Sequence, residues 1–286
     1  MERGTNVSVI IVSWRVKDLL RRCLASIKEQ TKTCSYEIFV VDNASGDGTA
    51  EMVRDEFPEA QLVANEQNLG FAKANNQAIS RARGDVILLL NPDTELREDA
   101  IGKTFDFMRH KPEIGICGCA IVNSDGSPQP SVRNFPSWWA MAYLLLKLHV
   151  IAPWFPPLRK YLAVNHDYSQ SSEVDQVMGA FFCIRGRMID VIGPLDERFF
   201  IWFEEVDYCQ RAKAVSWQVW YYADTAVTHH SGQSFKQALT LKKQLMFNSS
   251  LLKYFRKHHS FVGTVLLATL YPVSLLLALI SQYVRR

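Results

Sequence analysis

Residues 88–96 read LLLNPDTEL, an apolar run that stops at asparagine, proline and aspartate. A run without alternation fits a strand buried on both faces. Pro92 cannot extend it, because proline has no amide hydrogen to give to a ladder. Asp93 is therefore delivered at a strand's end. Upstream, VSVIIVSW (7–14) reads as a strand, and KDLLRRCLASIKEQ (17–30) puts Leu19, Leu20, Cys23, Leu24 and Ile27 on one helical face. YEIFVVD (36–42) is a second strand, GTAEMVRDEF (48–57) a helix and AQLVAN (60–65) a third strand. FAKANNQAISRA (71–82) is a helix before the buried strand DVILLLN (85–91), and REDAIGKTFDFMRH (97–110) is another before IGICGCAIV (114–122). This alternation predicts an α/β fold with a mainly parallel sheet and helices on both faces. Ligands of such sheets bind outside the carboxyl ends of the strands. Ser13 and Trp14, Asp42, and the turn Asn91 to Asp93 stand at those ends.

The chain's 286 residues, 48% of them hydrophobic, can bury one large core or two modest ones. Its 32 basic and 29 acidic residues leave a charge of +3 and an isoelectric point near 8.5, too mild an imbalance to argue for nucleic acid as a partner. Cysteines at 23, 34, 117, 119, 183 and 209 show no CxxC pair and are expected to be reduced thiols, without a disulfide frame or zinc site. VSVIIVSW is bounded by charges and lacks a cleavage-like small-residue site, which argues against a signal peptide and for a cytosolic catalytic part.

SFVGTVLLATLYPVSLLLALISQYV (260–284) carries no charge for 25 residues, with Arg256, Lys257, Arg285 and Arg286 as flanks. As one helix it is long enough to span a bilayer. Pro272 would kink it, so two short helices in one leaflet, or a buried core helix, are the competing readings. WWAMAYLLLKLHVIAPWFPPLRKYL (138–162) mixes tryptophans with Lys147, Arg159 and Lys160. That suits a membrane-interfacial segment or a core helix closed by a proline-rich loop.

The chemistry must come from the strand ends and from two later clusters. Neither GxGxxG after the first strand nor GxxxxGK[ST] is present, so the dinucleotide and P-loop readings lose their main support. In VVDNASGDGT (40–49), Asp42 could accept from a base or ribose, or order the turn, and Asp47 or Thr49 could cap the next helix. FFIWFEEVDYCQR (199–211) sets Glu204, Glu205 and Asp207 after an aromatic run. Acids at a helix start suit its dipole; beside an apolar wall they also acquire the raised pKa of a general base. His229 and His230 end the strand-like VWYYADTAV (219–227) in a Gly/Ser turn.

Taken together in order, VSVIIVSW, VVDNASGDGT, NLGFAKANNQAI, DVILLLNPDTEL, GAFFCIRGRMIDVIGPLDERFFIWFEEVDYCQR and VTHHSGQSF resemble glycosyltransferase family 2, the inverting transferases with the Rossmann-like GT-A fold. The likeness is strongest to the rhamnosyltransferase-like branch of bacterial surface polysaccharide synthesis. It covers residues 7 to about 235. The resemblance implies three parts: a nucleotide-sugar-binding half (1–125), an acceptor half with the catalytic base (126–255) and an apolar, membrane-associated segment (256–286).

It also implies roles. Asp93 matches the last acid of the family's DxD-type motif and would hold Mn2+ or Mg2+, with His229 completing the metal site; Asn91 replaces the first acid. Ser13, Trp14, Asp42, Asn68 and Gly70 would line the nucleotide-sugar pocket. Glu205 matches the base, with Glu204 as the competing carboxylate, while Gly179, Ala180 and Asp207 would face the acceptor. The implied partners are a nucleoside diphosphate sugar, a glycan or lipid-linked acceptor, and the inner leaflet, on the cytoplasmic face of the membrane. Two other classes compete. A nucleotidyltransferase would show a basic Gly-rich triphosphate loop near the N-terminus, and none is visible. A catalytically silent membrane-associated scaffold would have lost the acid or metal ligand, and Asp93, Glu205 and His229 are all present.

Overall fold

A computed structural model of the chain describes residues 4–230 and 240–284. The strands are β1 Val7–Ser13, β2 Tyr36–Asp42, β3 Gln61–Ala64, β4 Val86–Leu90, β5 Thr94–Leu96, β6 Ile114–Val122, β7 Val132–Arg133, β8 Ser172–Glu173, β9 Gln176–Val177, β10 Phe181–Arg185 and β11 Gln218–His229. The helices are α1 Lys17–Gln30, α2 Thr49–Glu56, α3 Phe71–Ile79, α4 Ala100–His110, α5 Trp138–Leu145, α6 Pro156–Tyr161, α7 Gly186–Ile192, α8 Glu204–Ala214, α9 Thr240–His258, α10 Phe261–Thr269 and α11 Tyr271–Val284.

One sheet runs in the order β3-β2-β1-β4-β10-β6-β11-β5, with β8 also paired to β11; β7 and β9 form a separate ribbon. β1 is parallel to β2 and β4, and β2 to β3, as strand–helix alternation requires. Beyond β4 the sheet is mixed. β10 inserts antiparallel between β4 and β6, and β6 pairs parallel with β11. A strand from the second half of the chain thus separates β4 from β6, which adjacency in sequence did not reveal.

The apolar run of β4 serves both faces. Val86, Leu88 and Leu90 join the core beneath α1, α2 and α4, whereas Ile87 and Leu89 join the one beneath α3, α7 and α8. That is the period-two consequence of a pleated strand covered on both sides. A third core gathers Ala140, Met141 and Leu145 of α5, Phe203 and Val206, Leu251, Tyr254 and Phe255 of α9, and Leu267 of α10. The two apolar stretches singled out in the sequence, 138–162 and 260–284, therefore pack together.

In the second stretch, α10 ends at Thr269 and α11 begins at Tyr271, with Pro272 in its first turn, where a missing amide hydrogen is harmless. Among the described residues, Phe261–Gln282 is the one helical stretch long and apolar enough to cross a membrane, by length and composition. All six cysteines are free thiols.

Leu88 is fully buried between β1 and β10. Leu88→Ala should cost about 2–5 kcal/mol in urea unfolding, whereas Lys28→Ala on the exposed side of α1 should stay within about 0.5 kcal/mol.

Candidate functional site

The strand β4 ends where Pro92 interrupts it, and Thr94 N–H donates to Asn91 O at 3.1 Å, closing a tight turn. The chain then re-enters the sheet as β5, antiparallel to β11, in a register that sets Thr94 opposite His229. His230 N–H donates to Asp93 O at 2.8 Å. This short strand, unseen in the sequence, joins the histidine to the aspartate across more than a hundred residues. On the other flank, Asn91 N–H donates to Ala180 O at 3.0 Å. Because β10 runs antiparallel to β4, its beginning lies at β4's carboxyl end, and Gly179 and Ala180 come with it.

His229 Nδ1 lies 2.7 Å from Gln129 Oε1. An amide oxygen only accepts, so Nδ1 donates to it and Nε2 is the nitrogen turned to the site. Nε2 lies 3.3 Å from Asp93 Oδ1 and 3.5 Å from Asn91 Nδ2. Asp93 is 5% exposed and His229 8%. A histidine oriented through its other nitrogen, with a carboxylate oxygen beside the free one, is the usual arrangement of a metal ligand. The donor set therefore fits a divalent cation. Among the described residues no group of three His, Cys, Asp or Glu gathers at one point, so the remaining coordination positions would belong to ligand oxygens and water.

These residues open onto a cleft of about 640 Å³. Trp14, Asn68 and Gly70 line one side, Gly179 and Ala180 the floor, and Glu204 and Glu205 another wall. The loop before α3 is held by Asn43, a residue that the sequence reading passed over. Its Oδ1 accepts from Leu69 N–H at 2.9 Å, and its Nδ2 donates to Asn68 Oδ1 at 3.0 Å and Gly70 O at 3.2 Å. Gly70 has φ +82°, and a Cβ there would lie 2.5 Å from Phe200 O. Only glycine permits that approach.

Glu204 and Glu205 open α8 after Trp202 and Phe203, both non-glycine residues with positive φ, at 63° and 70°. Such backbone costs roughly 1–3 kcal/mol per residue. Phe203 offsets it by packing into the third core, and Ser250 Oγ donates to Ile201 O at 2.7 Å. The strained turn aims both glutamates at the cleft, where each leaves its Oε2 buried without a hydrogen bond. Burial raises both carboxyls above the ordinary range, and for Glu204 the charge of Glu205 adds to it. Of the pair, Glu204 is held the further above that range.

Three residues singled out in the sequence do not line the cleft. Ser13 is fully buried under the strand end with its Oγ unpartnered. Asp42 Oδ1 accepts from Ser45 N–H at 3.1 Å, the turn-ordering alternative, while its neighbour Asn43 reaches the cleft. Asp207 is fully buried within α8 and contacts Arg211 at 2.9 Å, Lys257 at 2.7 Å and His258 at 2.6 Å. Burial opposes its charge, but hydrogen bonds from His258 and Lys257, with Arg211 nearby, outweigh it and hold this carboxyl below the usual range. Asp207 thereby fastens α9 to α8. Asp47 accepts from Thr49 N–H at 3.1 Å ahead of α2. The end of the VTHHSGQSF motif, residues 231–235, lies outside the described residues.

The sequence profile of glycosyl transferase family 2 matches residues 8–165. The chain is 28% identical over 242 residues to the N-acetylglucosaminyl-diphospho-decaprenol L-rhamnosyltransferase of Mycobacterium tuberculosis, covering 79% of this chain and 76% of that one. It is 29% identical over 134 residues to the putative teichuronic acid biosynthesis glycosyltransferase TuaG of Bacillus subtilis, covering 46% of this chain and 53% of the other. Among solved structures, the mannosyltransferase PcManGT from Pyrobaculum calidifontis, in complex with GDP-Man and Mn2+, superposes with a TM-score of 0.59 at 16% identity, over 96% of this chain and 73% of that one. At that identity the likeness speaks for the fold.

The raised glutamates have a measurable signature. They hold protons in the folded chain that they release when unfolded, so their contribution to stability is complete below the ordinary carboxylate range and is lost as pH rises through the folded values. Glu204→Gln should flatten that loss and raise the melting temperature at neutral pH, by about 1–3 kcal/mol of stability. Thermal unfolding followed across pH checks it.

Proposed function

The chain belongs to glycosyl transferase family 2 and is a glycosyltransferase; from that premise we propose that it transfers a sugar, with L-rhamnose the first candidate, from a nucleoside diphosphate to a lipid-linked glycan at the cytoplasmic face of the membrane. Its fold is the GT-A fold expected from the sequence. The observation that carries the reading is the pairing of Asp93 with His229 Nε2 at 3.3 Å, on the same cleft as the raised carboxyls of Glu204 and Glu205. The rhamnosyl donor and the polyprenyl diphosphate acceptor are carried over from the mycobacterial relative's name.

In this reading the donor lies between Trp14 and the Asn68–Gly70 loop, with its diphosphate at Asp93 and His229. A bound Mn2+ or Mg2+ would neutralise charge on the departing diphosphate. Glu205 accepts the proton of the acceptor hydroxyl, whose oxygen attacks the anomeric carbon as the bond to the diphosphate breaks; one displacement inverts the configuration. Glu204, whose carboxyl burial and the charge of Glu205 raise further, lines the same space. Gly179 leaves the approach to Glu205 open, since a Cβ there would stand 4.0 Å from the Glu205 side chain.

The apolar surface supports the membrane part of the proposal. Phe261, Val262 and Leu276 of α10 and α11 are exposed, as are Val150, Ile151 and Trp154 of the neighbouring segment. α11 packs along α9, where Asn248 Nδ2 donates to Ser274 Oγ at 3.2 Å. α9 carries Lys253, Arg256 and Lys257. Driving α11 through the bilayer with α9 attached would take these charges toward hydrocarbon, at roughly 2.5–3.5 kcal/mol each. The module is better suited to lie on the leaflet, the two-short-helix alternative.

Calorimetry with a panel of nucleoside diphosphate sugars should find one donor whose binding requires Mn2+ or Mg2+ and is lost in Asp93→Ala. Glu205→Gln should keep that binding and lose about 100- to 10,000-fold in transfer, with Glu204→Gln retaining more activity. Metal-independent binding, unchanged in Asp93→Ala, would refute the metal role. In vesicle flotation the full chain should float with anionic vesicles, and Phe261→Asp/Leu276→Asp should stay at the bottom; equal flotation of both would refute docking through α10 and α11.

A further inference from the structure

A second, smaller cavity of about 180 Å³ adjoins the cleft, and Met178, Trp202 and Glu205 line both. It has less than a third of the cleft's volume, a space for a small group and not for a chain. Ser131 and Arg133, two apart along the extended segment that forms β7, face it from one side, and Gln176 of β9 and Tyr161 of α6 close it.

Two features of its wall call for a ligand. Ser131 is 3% exposed, and its Oγ has no hydrogen-bond partner. A buried hydroxyl left in that state loses the hydrogen bonds that water would give it. Arg133 is half-buried and has no carboxylate partner among the described residues; only its Nη1 is engaged, donating to Val132 O at 2.7 Å and Pro130 O at 3.3 Å. A guanidinium with the rest of its fork open, partly withdrawn from water, matches the geometry of a phosphate. The charges of Arg133 and Glu205 act in opposite senses on Tyr161, whose hydroxyl burial pushes up to about 12. The cavity thus has a carboxylate where it meets the cleft and a cation on its own wall.

We propose that this cavity receives the acceptor's terminal sugar, with Ser131 bonding the ring and Arg133 the phosphate or diphosphate attached to it, so that the enzyme selects a phosphate-linked saccharide over a neutral glycan end. A base must touch the acceptor hydroxyl and stand beside the donor at once, and Glu205 is on the boundary of both spaces. The proposal rests on the lipid-linked acceptor reading above and adds to it where the acceptor binds and which charge it must carry.

The test is calorimetry on the full chain with two probes, a short-chain alkyl diphosphate ester of N-acetylglucosamine and the matching neutral alkyl glycoside, alongside a nucleoside diphosphate with Mn2+. The wild type should bind the diphosphate probe at least about tenfold more tightly than the glycoside. Arg133→Gln should reduce that preference to about twofold or less, Arg133→Lys should restore part of it, and Ser131→Leu, which fills the cavity, should weaken both probes. Nucleoside diphosphate binding should be unchanged in all three variants, which also reports that they are folded. A wild type that binds both probes alike or neither, or an Arg133→Gln variant that keeps the preference, would overturn the proposal. Loss of nucleoside diphosphate binding in the wild type, with probe binding still dependent on Arg133, would instead count against the donor reading and leave the acceptor subsite standing.

Discussion

Pro92 has no amide hydrogen, and the architecture of the site follows from that missing donor. β4 must stop at Leu90, the turn closes through Asn91 and Thr94, and the chain returns as β5 on the far edge of the sheet. Asp93 is then held from both sides, by the β5 pairing that carries His229 and by the Asn91 to Ala180 hydrogen bond that carries Gly179. Backbone hydrogen bonds, which hold position better than side-chain contacts, thus set the distance between the two groups fitted for a cation.

The second constraint is the strained turn ahead of α8. Two consecutive residues in the left-handed region are unfavourable by themselves, so their persistence depends on the packing that surrounds them. Phe203 and Val206 share the third core with α5, α9 and α10. Asp207 adds a buried charge cluster with Lys257 and His258 from the end of α9. The helix that carries the glutamates is therefore built into the same body as the exposed apolar surface. The proximity of the proposed membrane face to the proposed base is a property of this shared core.

The parallel half of the sheet was legible because its signal is local. Leu88, Leu89 and Leu90 are apolar on consecutive positions, and only a strand covered on both faces wants that. Leu20, Cys23, Leu24 and Ile27 are spaced for one helical face, and that face is buried. The placement of β10 between β4 and β6, and the three-residue β5, were not legible. Their pairing partners lie far away in sequence, and strands this short carry no periodicity.

The candidate site divides along the same line. Asp93, Asn91, Trp14, Gly70, Gly179 and the two glutamates line one cleft, and each was marked in the sequence by a strand end, a turn or a charge against an apolar run. Asp42, Ser13 and Asp207 carried similar marks, but the fold spends them on a turn, a buried strand end and a helix clamp. Asn43 and Arg133 carried none, since an asparagine in a turn and an arginine in a loop are ordinary in any sequence. The sequence by itself determined where polar groups are delivered, because hydrophobic period and proline act on neighbouring residues. Which delivered groups meet, which ionise and which are left without a partner was decided by the tertiary structure, because burial and hydrogen-bond pairing depend on residues that only the folded sheet brings within a few ångströms.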